Sequence, residues 1–332
     1  MLDHRTFPSE GTMREQVEAL LAFAVRAPST HNSQPWLFRV TGNICELYAD
    51  RSRKLPEGDK DSRCLYISLG GCLENLESAA KYFDMFESTG IGGLTDLTAP
   101  VARLNLHSSR GTIADLLPTV KAMAGRFNAR GPSLAKPLPD ELSSRLIALI
   151  EGDARLHLFT DKDDRAQCAE LTARGMRIAH ADKAFRAELS HWMVSNYSAR
   201  KDGIPGYAML APGPLSLVLP RLIRTFNMGP LLAKLNTQSI LSAPAVGVIT
   251  TSFDTPRAWL DTGRLFERAS LLTNAQGAKT SVFVAAIESP ELRKELGAMV
   301  GSDLLPQFLF TLGFPLYTLP LSPRHPPSER MV

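Results

Sequence analysis

Apolar and polar positions along the chain divide it into helix-period and strand-period segments. Met13, Val17, Leu20, Leu21 and Ala24 recur at three- and four-residue steps, which predicts an amphipathic helix over 13–26 that stops before Pro28. Two alternating runs, 36–40 and 44–48, flank the turn tripeptide Thr41-Gly42-Asn43 and predict a hairpin. Residues 65–83 read as a largely buried helix, 90–100 as an irregular Gly- and Thr-rich stretch, and 101–106 as a strand. Helices are expected over 113–125 and 140–151, the second with Asp140 as its N-cap, then a strand over 155–160 and helices over 164–181 and 184–192. Residues 196–230 hold Gly203, Pro205, Gly206, Pro212, Gly213, Pro214 and Pro220 and read as a long irregular excursion, either a lid over a functional site or an interdomain linker. A buried strand over 245–250, a helix over 261–279 and a strand-like run over 281–287 follow.

Within this pattern lies a weak repeat. The segment from Ser68 to Ser78 lines up with that from Asp261 to Leu271 at a constant offset of 193, each carrying a glycine near its start, Gly70 and Gly263. Two diverged copies of one unit would produce this, and so would two unrelated amphipathic helices. The length of 332 residues accommodates two domains or one large one. The expected division is 1–112 and 113–332, with the 196–230 segment inside the second unit.

Composition excludes several function classes. At 44% hydrophobic and 21% charged residues the chain is neither disordered nor fibrous. Thirty-seven Lys+Arg against 34 Asp+Glu leaves +3, too balanced for an electrostatic nucleic-acid binder, and the densest basic stretches, 51–54 and Arg221 with Arg224, are short. Cys45, Cys64, Cys72 and Cys168 form no C-x-x-C pair, so neither a zinc site nor a disulfide framework is expected. Residues 1–12 have no apolar core of a signal peptide. The most apolar stretch, 304–321, contains Pro306, Pro315 and Pro320. A cytoplasmic protein without a membrane or nucleic-acid partner is the expectation.

The sharpest chemistry lies in Ala27-Pro28-Ser29-Thr30-His31-Asn32-Ser33-Gln34-Pro35-Trp36, where short polar side chains and two prolines join a helix to a strand. Such a loop is either a rigid structural turn or a surface of amides and hydroxyls for a flat polar ligand. Gly125-Arg126-Phe127-Asn128-Ala129-Arg130 opens the second unit, and an Arg fork with a short polar residue two positions on suits a phosphate, although an Arg pair at a helix end is also commonly just solvated. The C-terminus carries Leu312-Gly313-Phe314-Pro315 and then Ser322-Pro323-Arg324-His325-Pro326-Pro327.

Together these segments resemble the nitroreductase-like FMN-binding superfamily: the A-P-S-x-x-N-x-Q-P-W loop, an R-R-S-x-R start with Gly125 in place of the first Arg and Asn128 in place of Ser, and an L-G-[YF]-P strand with a basic tail. Asp50-Arg51-Ser52-Arg53, Asp202-Gly203-Ile204-Pro205, Ala243–Val248 and Pro306–Phe310 further resemble its tandem-domain Acg-like branch. The resemblance implies an α+β fold of two fused domains, antiparallel or mixed sheets wrapped by helices, forming an intrachain pseudo-dimer that acts as a monomer. It implies FMN held by Pro28, Ser29, Thr30, Asn32 and Gln34 along the ring and by Arg126, Asn128, Arg130 and Arg324 at the phosphate. Glu288, in Ala286-Ile287-Glu288-Ser289, resembles part of a turn facing the flavin, without its Pro and Gly. Unit one has the ring loop and unit two the phosphate residues, with Glu151-Gly152-Asp153-Ala154-Arg155 where a second ring loop would lie, so one composite site per chain is expected. No metal and no catalytic side chain are implied, the chemistry residing on FMN. The activity implied is NAD(P)H-dependent reduction of a nitroaromatic, quinone or similar acceptor. The alternative is a protein that sequesters FMN beneath the 196–230 segment. His31 reads either as a proton donor or as a structural residue.

Overall fold

A computed structural model describes residues 2–96, 98–301 and 303–332. The first part of the chain forms α1 (Met13–Ala24), β1 (Trp36–Thr41), β2 (Ile44–Ala49), α2 (Arg63–Tyr82), β3 (Phe86–Ile91) and β4 (Ala102–Leu106). Then come α3 (Leu117–Gly125), α4 (Asp140–Ile147), β5 (Ile150–Glu151), β6 (Ala154–Phe159), α5 (Lys162–Ala181), α6 (Lys183–Trp192), the short pair β7 (Met193–Val194) and β8 (Ile204–Pro205), α7 (Gly213–Thr225) and α8 (Gly229–Ser242). The chain continues as β9 (Ala245–Thr251), α9 (Pro256–Ala275), β10 (Lys279–Val282), α10 (Pro290–Val300) and β11 (Leu305–Gly313).

The fold is α+β, built on two antiparallel sheets ordered β1-β2-β4-β3 and β10-β11-β9-β6-β5. Read from β6, the second sheet runs β6-β9-β11-β10, the same first-second-fourth-third order as the first sheet, with β5 added at its edge. A twenty-residue helix joins the second strand to the third in both, α2 in one and α9 in the other. The copies differ at the first connection: β1 and β2 are joined by a tight turn with Gly42 at φ 59°, whereas β6 and β9 are separated by the whole α5–α8 insertion.

α2 and α9 pack against each other, and the two glycines of the repeat are the reason they approach so closely. A Cβ on Gly70 would collide with the Leu260 carbonyl oxygen, and a Cβ on Gly263 with that of Ile67. Ile67 and Leu260 are themselves 193 positions apart, so the two contacts are reciprocal, as a two-fold relation between the helices requires. Leu69, Leu73 and Leu76 of α2 and Leu265 and Phe266 of α9 are fully or almost fully buried in one core with Trp36, Phe38 and Phe310. A second core, including Cys168, Leu171, Ile240, Val246 and Val248, seats the insertion and α10 on the other face of the second sheet. After β11 the tail crosses back to the first sheet, where Val332 N donates to Phe38 O at 2.9 Å.

Most of the sequence-derived elements recur within a few residues of their expected bounds, and five differ. The run expected as a strand over 281–287 is strand only to Val282, where the β10–β11 ladder ends and the chain turns towards α10. Asp140 is the first residue of α4, Pro139 holds the cap position, and the helix ends at Ile147 because the chain turns into the edge strand β5. Residues 86–91 form strand β3 despite their polar, Gly-containing sequence, since an edge strand needs only one hydrogen-bonding neighbour. α9 begins at Pro256, one and a half turns early, capped by Thr255. The 196–230 segment is not irregular throughout: α7 forms with Pro220 inside it, and this ring removes one backbone bond without ending the helix.

Candidate functional site

The loop between α1 and β1 is held in a backbone conformation that side-chain-bearing residues rarely adopt. His31, Asn32 and Gln34 have φ of 54°, 55° and 53°, and such left-handed non-glycine residues gather where surroundings over-determine the chain. What over-determines it is visible. Gln34 N donates to Ser29 Oγ at 2.9 Å. Asn32 Nδ2 donates to Gly203 O and to Pro323 O, both at 3.1 Å, and Asn32 Oδ1 accepts from Arg324 at 2.6 Å. The buried Gln34 donates to Lys201 O at 2.7 Å and accepts from His325 N at 2.9 Å. Pro28 lies against α2 at Gly71, beside Glu267 of α9. Thr30 and Ser33 face a small cleft shared with Asp59, Cys64 and Ser68.

The Asp50–Arg53 and Asp202–Pro205 motifs, far apart in sequence, meet beside this loop. Arg53 donates to Asp202 at 2.9 Å and to Ser33 O at 2.7 Å, while Asp50 accepts from Arg330 of the tail at 2.9 Å. Gly203, at φ 81°, brings its backbone close to the Trp192 carbonyl, where a Cβ would clash. Residues 200–203 and the tail are thereby fastened over Asn32 and Gln34.

A cluster of cations surrounds the inner end of the same loop. Arg324 donates to Asn32 and to Ala27 O, and Arg126 donates to Arg26 O at 3.1 Å. Arg26 and Arg126 lie near enough to Arg324 to depress its pKa well below the usual guanidinium value, an effect in which burial is the largest cause. Burial and Arg126 lower Arg26, burial lowers Arg130, and burial with Arg126 lowers Lys279. His31 is brought down to about 4 by burial and by Arg130, so its imidazole is neutral at physiological pH and serves as a poor acid.

One carboxylate opposes these charges. Glu267, wholly buried, lies 3.3 Å from Arg126 Nε, yet the pair is not aligned for a hydrogen bond and both Glu267 oxygens lack a partner. Burial outweighs the attraction of Arg126 and lifts its carboxyl to about 7. The Nε atoms of Arg26, Arg126 and Arg324 and Nε2 of His31 are likewise buried without a partner. Buried donors left unsatisfied are costly, and the three guanidinium Nε atoms of Arg26, Arg126 and Arg324 fit an anion with several acceptor oxygens, as a phosphate has, while His31 Nε2 lies apart beside Gly58.

Not every residue named from the sequence lies free in this cluster. Asn128 Oδ1 accepts from Val282 N at 3.0 Å and thus secures the chain beside β10. Arg130 acts on His31 through its charge. Glu288 pairs with Arg63 at 2.5 Å and touches Cys64 Sγ at 3.5 Å, bordering the Thr30 cleft at the start of α2. Arg26 and Glu267 were missed by motif reasoning. Arg26 stands one position before the loop motif, and Glu267 lies inside the repeat, where its partner at the same offset is Glu74.

Around Glu74 the chemistry is reversed. Arg268 donates to both its oxygens, at 3.0 and 2.9 Å, and to Glu151 at 2.9 Å. Arg264 reaches Glu77 at 2.8 Å, Glu151 at 2.9 Å and Glu74 at 3.4 Å. Glu151 precedes β6 much as the Ser29–Gln34 loop precedes β1, so these five charges occupy the counterpart of the cationic cluster.

Comparison with known proteins places this geometry in context. No family model matches the chain. Over 334 residues, 97% of each chain, it is 23% identical to acg of Mycobacterium tuberculosis, which bears the name of an NAD(P)H nitroreductase. A second M. tuberculosis protein so named is 43% identical over 61 residues, 18% of each chain. Among solved structures, an NADPH:FMN oxidoreductase from Vibrio harveyi aligns with TM-score 0.37 and 12% identity over 63% of this chain and 71% of its own. A nitroreductase with bound FMN from Bacteroides fragilis aligns with TM-score 0.36 and 14% identity over 59% and 88%.

Proposed function

We propose that the chain, similar over nearly its whole length to a protein named as an NAD(P)H nitroreductase, is a nitroreductase-like FMN-dependent oxidoreductase with one composite flavin site, the phosphate held by Arg126, Arg130 and Arg324 of the second unit with help from Arg26. The observation that carries this reading is the set of unpartnered, buried guanidinium nitrogens of Arg26, Arg126 and Arg324 around the inner end of the Pro28–Gln34 loop. The proposed units divide near residue 112, and the site draws its loop from the first and its cations mostly from the second. FMN, when bound, supplies the hydride and electron chemistry. The chain's own residues bind and orient it. Pro28, Ser29 and Thr30 offer a rigid edge, the arginines neutralise a dianion, and the neutral His31 donates or accepts without adding charge.

NAD(P)H as reductant and a nitroaromatic or quinone acceptor complete the reading. A second reading, FMN sequestration, is favoured by one specific feature: residues 200–203 and the tail are fastened to Asn32 and Gln34 by hydrogen bonds. This strap would limit access of a nicotinamide to the ring. The purified protein is expected to be yellow and to release about one FMN per chain. A colourless protein that cannot be reconstituted refutes both readings. Anaerobic mixing with NADPH or NADH then separates them: prompt bleaching supports the reductase, while bleaching by dithionite alone supports sequestration.

A further inference from the structure

The insertion that distinguishes the second copy carries an unusual outer surface. α7 packs inward on α6 through Ile223, which is buried with Leu189 and Met193, and α8 packs on α5 through Ala233 and Ile240. Their outer faces are therefore set by what remains. On α7 the exposed positions Pro214, Leu217, Val218, Arg221 and Thr225 follow the three- and four-residue steps of one helical face, and on α8 so do Leu231, Lys234, Leu235, Gln238 and Leu241. A solvent-facing stripe is ordinarily polar, yet Leu217 is 60% exposed, Leu231 51%, and Phe226 in the connection between the helices 57%. Eight of the 18 large apolar residues exposed among the described residues fall between 210 and 241.

The charges that α7, α8 and their connection carry have one sign. From Gly203 through Phe253 the chain contains no Asp or Glu, and its only charged residues are Arg221, Arg224 and Lys234, all exposed. A second copy of the chain is a poor occupant, because a two-fold interface would set these cations against their own copies with no carboxylate from the segment to offset them. An anionic lipid surface is complementary on both counts: it solvates leucine and phenylalanine at the acyl boundary and attracts the interleaved cations. We propose that the outer faces of α7 and α8, with Phe226 between them, are a peripheral docking surface for anionic membranes, their apolar stripes lying in the interface plane. The expectation of no membrane partner rested on the lack of a spanning segment, and no helix among the described residues is long and apolar enough to cross a bilayer. Helices that lie on the surface need none. The proposal does not depend on flavin binding.

Flotation of the full-length protein with phosphatidylglycerol-containing vesicles and with pure phosphatidylcholine vesicles tests it. The expected result is binding to the anionic vesicles alone, weakened by raising salt from low to physiological strength and above. Arg221→Ser/Arg224→Ser/Lys234→Ser is expected to weaken that binding by at least about tenfold. Leu217→Ser/Leu231→Ser/Leu235→Ser is expected to weaken it even at low salt while leaving the thermal midpoint unchanged, since these side chains are exposed. Three results overturn the proposal: no binding to anionic vesicles at low salt, equal binding to both vesicle types, or a concentration-dependent dimer that the leucine substitutions abolish without any lipid binding. The salt series on the unaltered chain decides the matter even if a variant fails to fold.

Discussion

The two flanks of the α2–α9 pair occupy equivalent places in a duplicated topology and differ in charge balance. Beside Glu267 stand Arg26, Arg126 and Arg324, with Arg130 close by at His31, and several of their buried donors have no partner. Beside Glu74 stand Glu77 and Glu151 with Arg264, Arg268 and Lys81, three charges of each sign that answer one another within 3.4 Å. A self-neutralised lattice has nothing to offer an anion, whereas an excess of buried cations holds an unfavourable arrangement that an anion relieves. Duplication thus provided two equivalent positions, and charge balance distinguishes them.

Breaking the lattice has the largest expected effect. Arg264→Met leaves Glu74, Glu77 and Glu151 short of a cation and is expected to cost about 3–5 kcal/mol, read by urea unfolding. A loss below about 1 kcal/mol would mean that Arg268 and Lys81 hold the three carboxylates without Arg264 and that the lattice is not a unit.

Next is the solitary carboxylate. Glu267 titrates near 7 in the folded chain against 4.5 when unfolded, so the native state binds the extra proton between those values and stability falls as pH rises through that window. The stabilisation is complete below about 4.5 and gone above about 7, on the order of 3 kcal/mol in all. Glu267→Gln is expected to flatten this pH dependence in unfolding curves. An unchanged slope would remove Glu267 as its source.

The phosphate reading is tested by Arg126→Ala, which is expected to weaken FMN retention by ~1.5–3 kcal/mol in equilibrium dialysis. Retention that is unchanged takes Arg126 out of the site and leaves it as a counter-ion to Glu267. The smallest effect belongs to Arg26→Met. It removes one of several like charges whose buried Nε has no partner, and it should change unfolding stability by less than about 1 kcal/mol, in the stabilising direction. Marked destabilisation would show that Arg26 is balanced after all, and the contrast between the two flanks would fade.

Much of this was legible in local pattern. The hairpin of β1 and β2, the helices α2 and α5, and the loop motif with its Asn32 and Gln34 are short-range signals, since period and turn chemistry are properties of neighbouring residues. The offset of 193 was legible too, but only as similarity. Its meaning came from the reciprocal approach of Gly70 to Leu260 and of Gly263 to Ile67, which no linear reading could distinguish from two helices alike by chance. α7 escaped notice because prolines usually break helices, and packing of Ile223 against α6 overrides that tendency.

The sequence by itself determined which residue types were available: a polar loop rich in prolines, arginines at three distant places, and two copies of a helix with glycine near its start. Only the tertiary structure decided which charges stand alone. Whether a guanidinium is satisfied depends on what lies within a few ångströms of it, and Arg26, Arg126, Glu267 and Arg324, spread over nearly 300 positions, become neighbours only after α2, α9 and the tail have packed. The same packing gave Arg264 and Arg268 their three carboxylates. Arginine is common to both flanks, and its surroundings make one a paired lattice and leave the other with buried donors that have no partner.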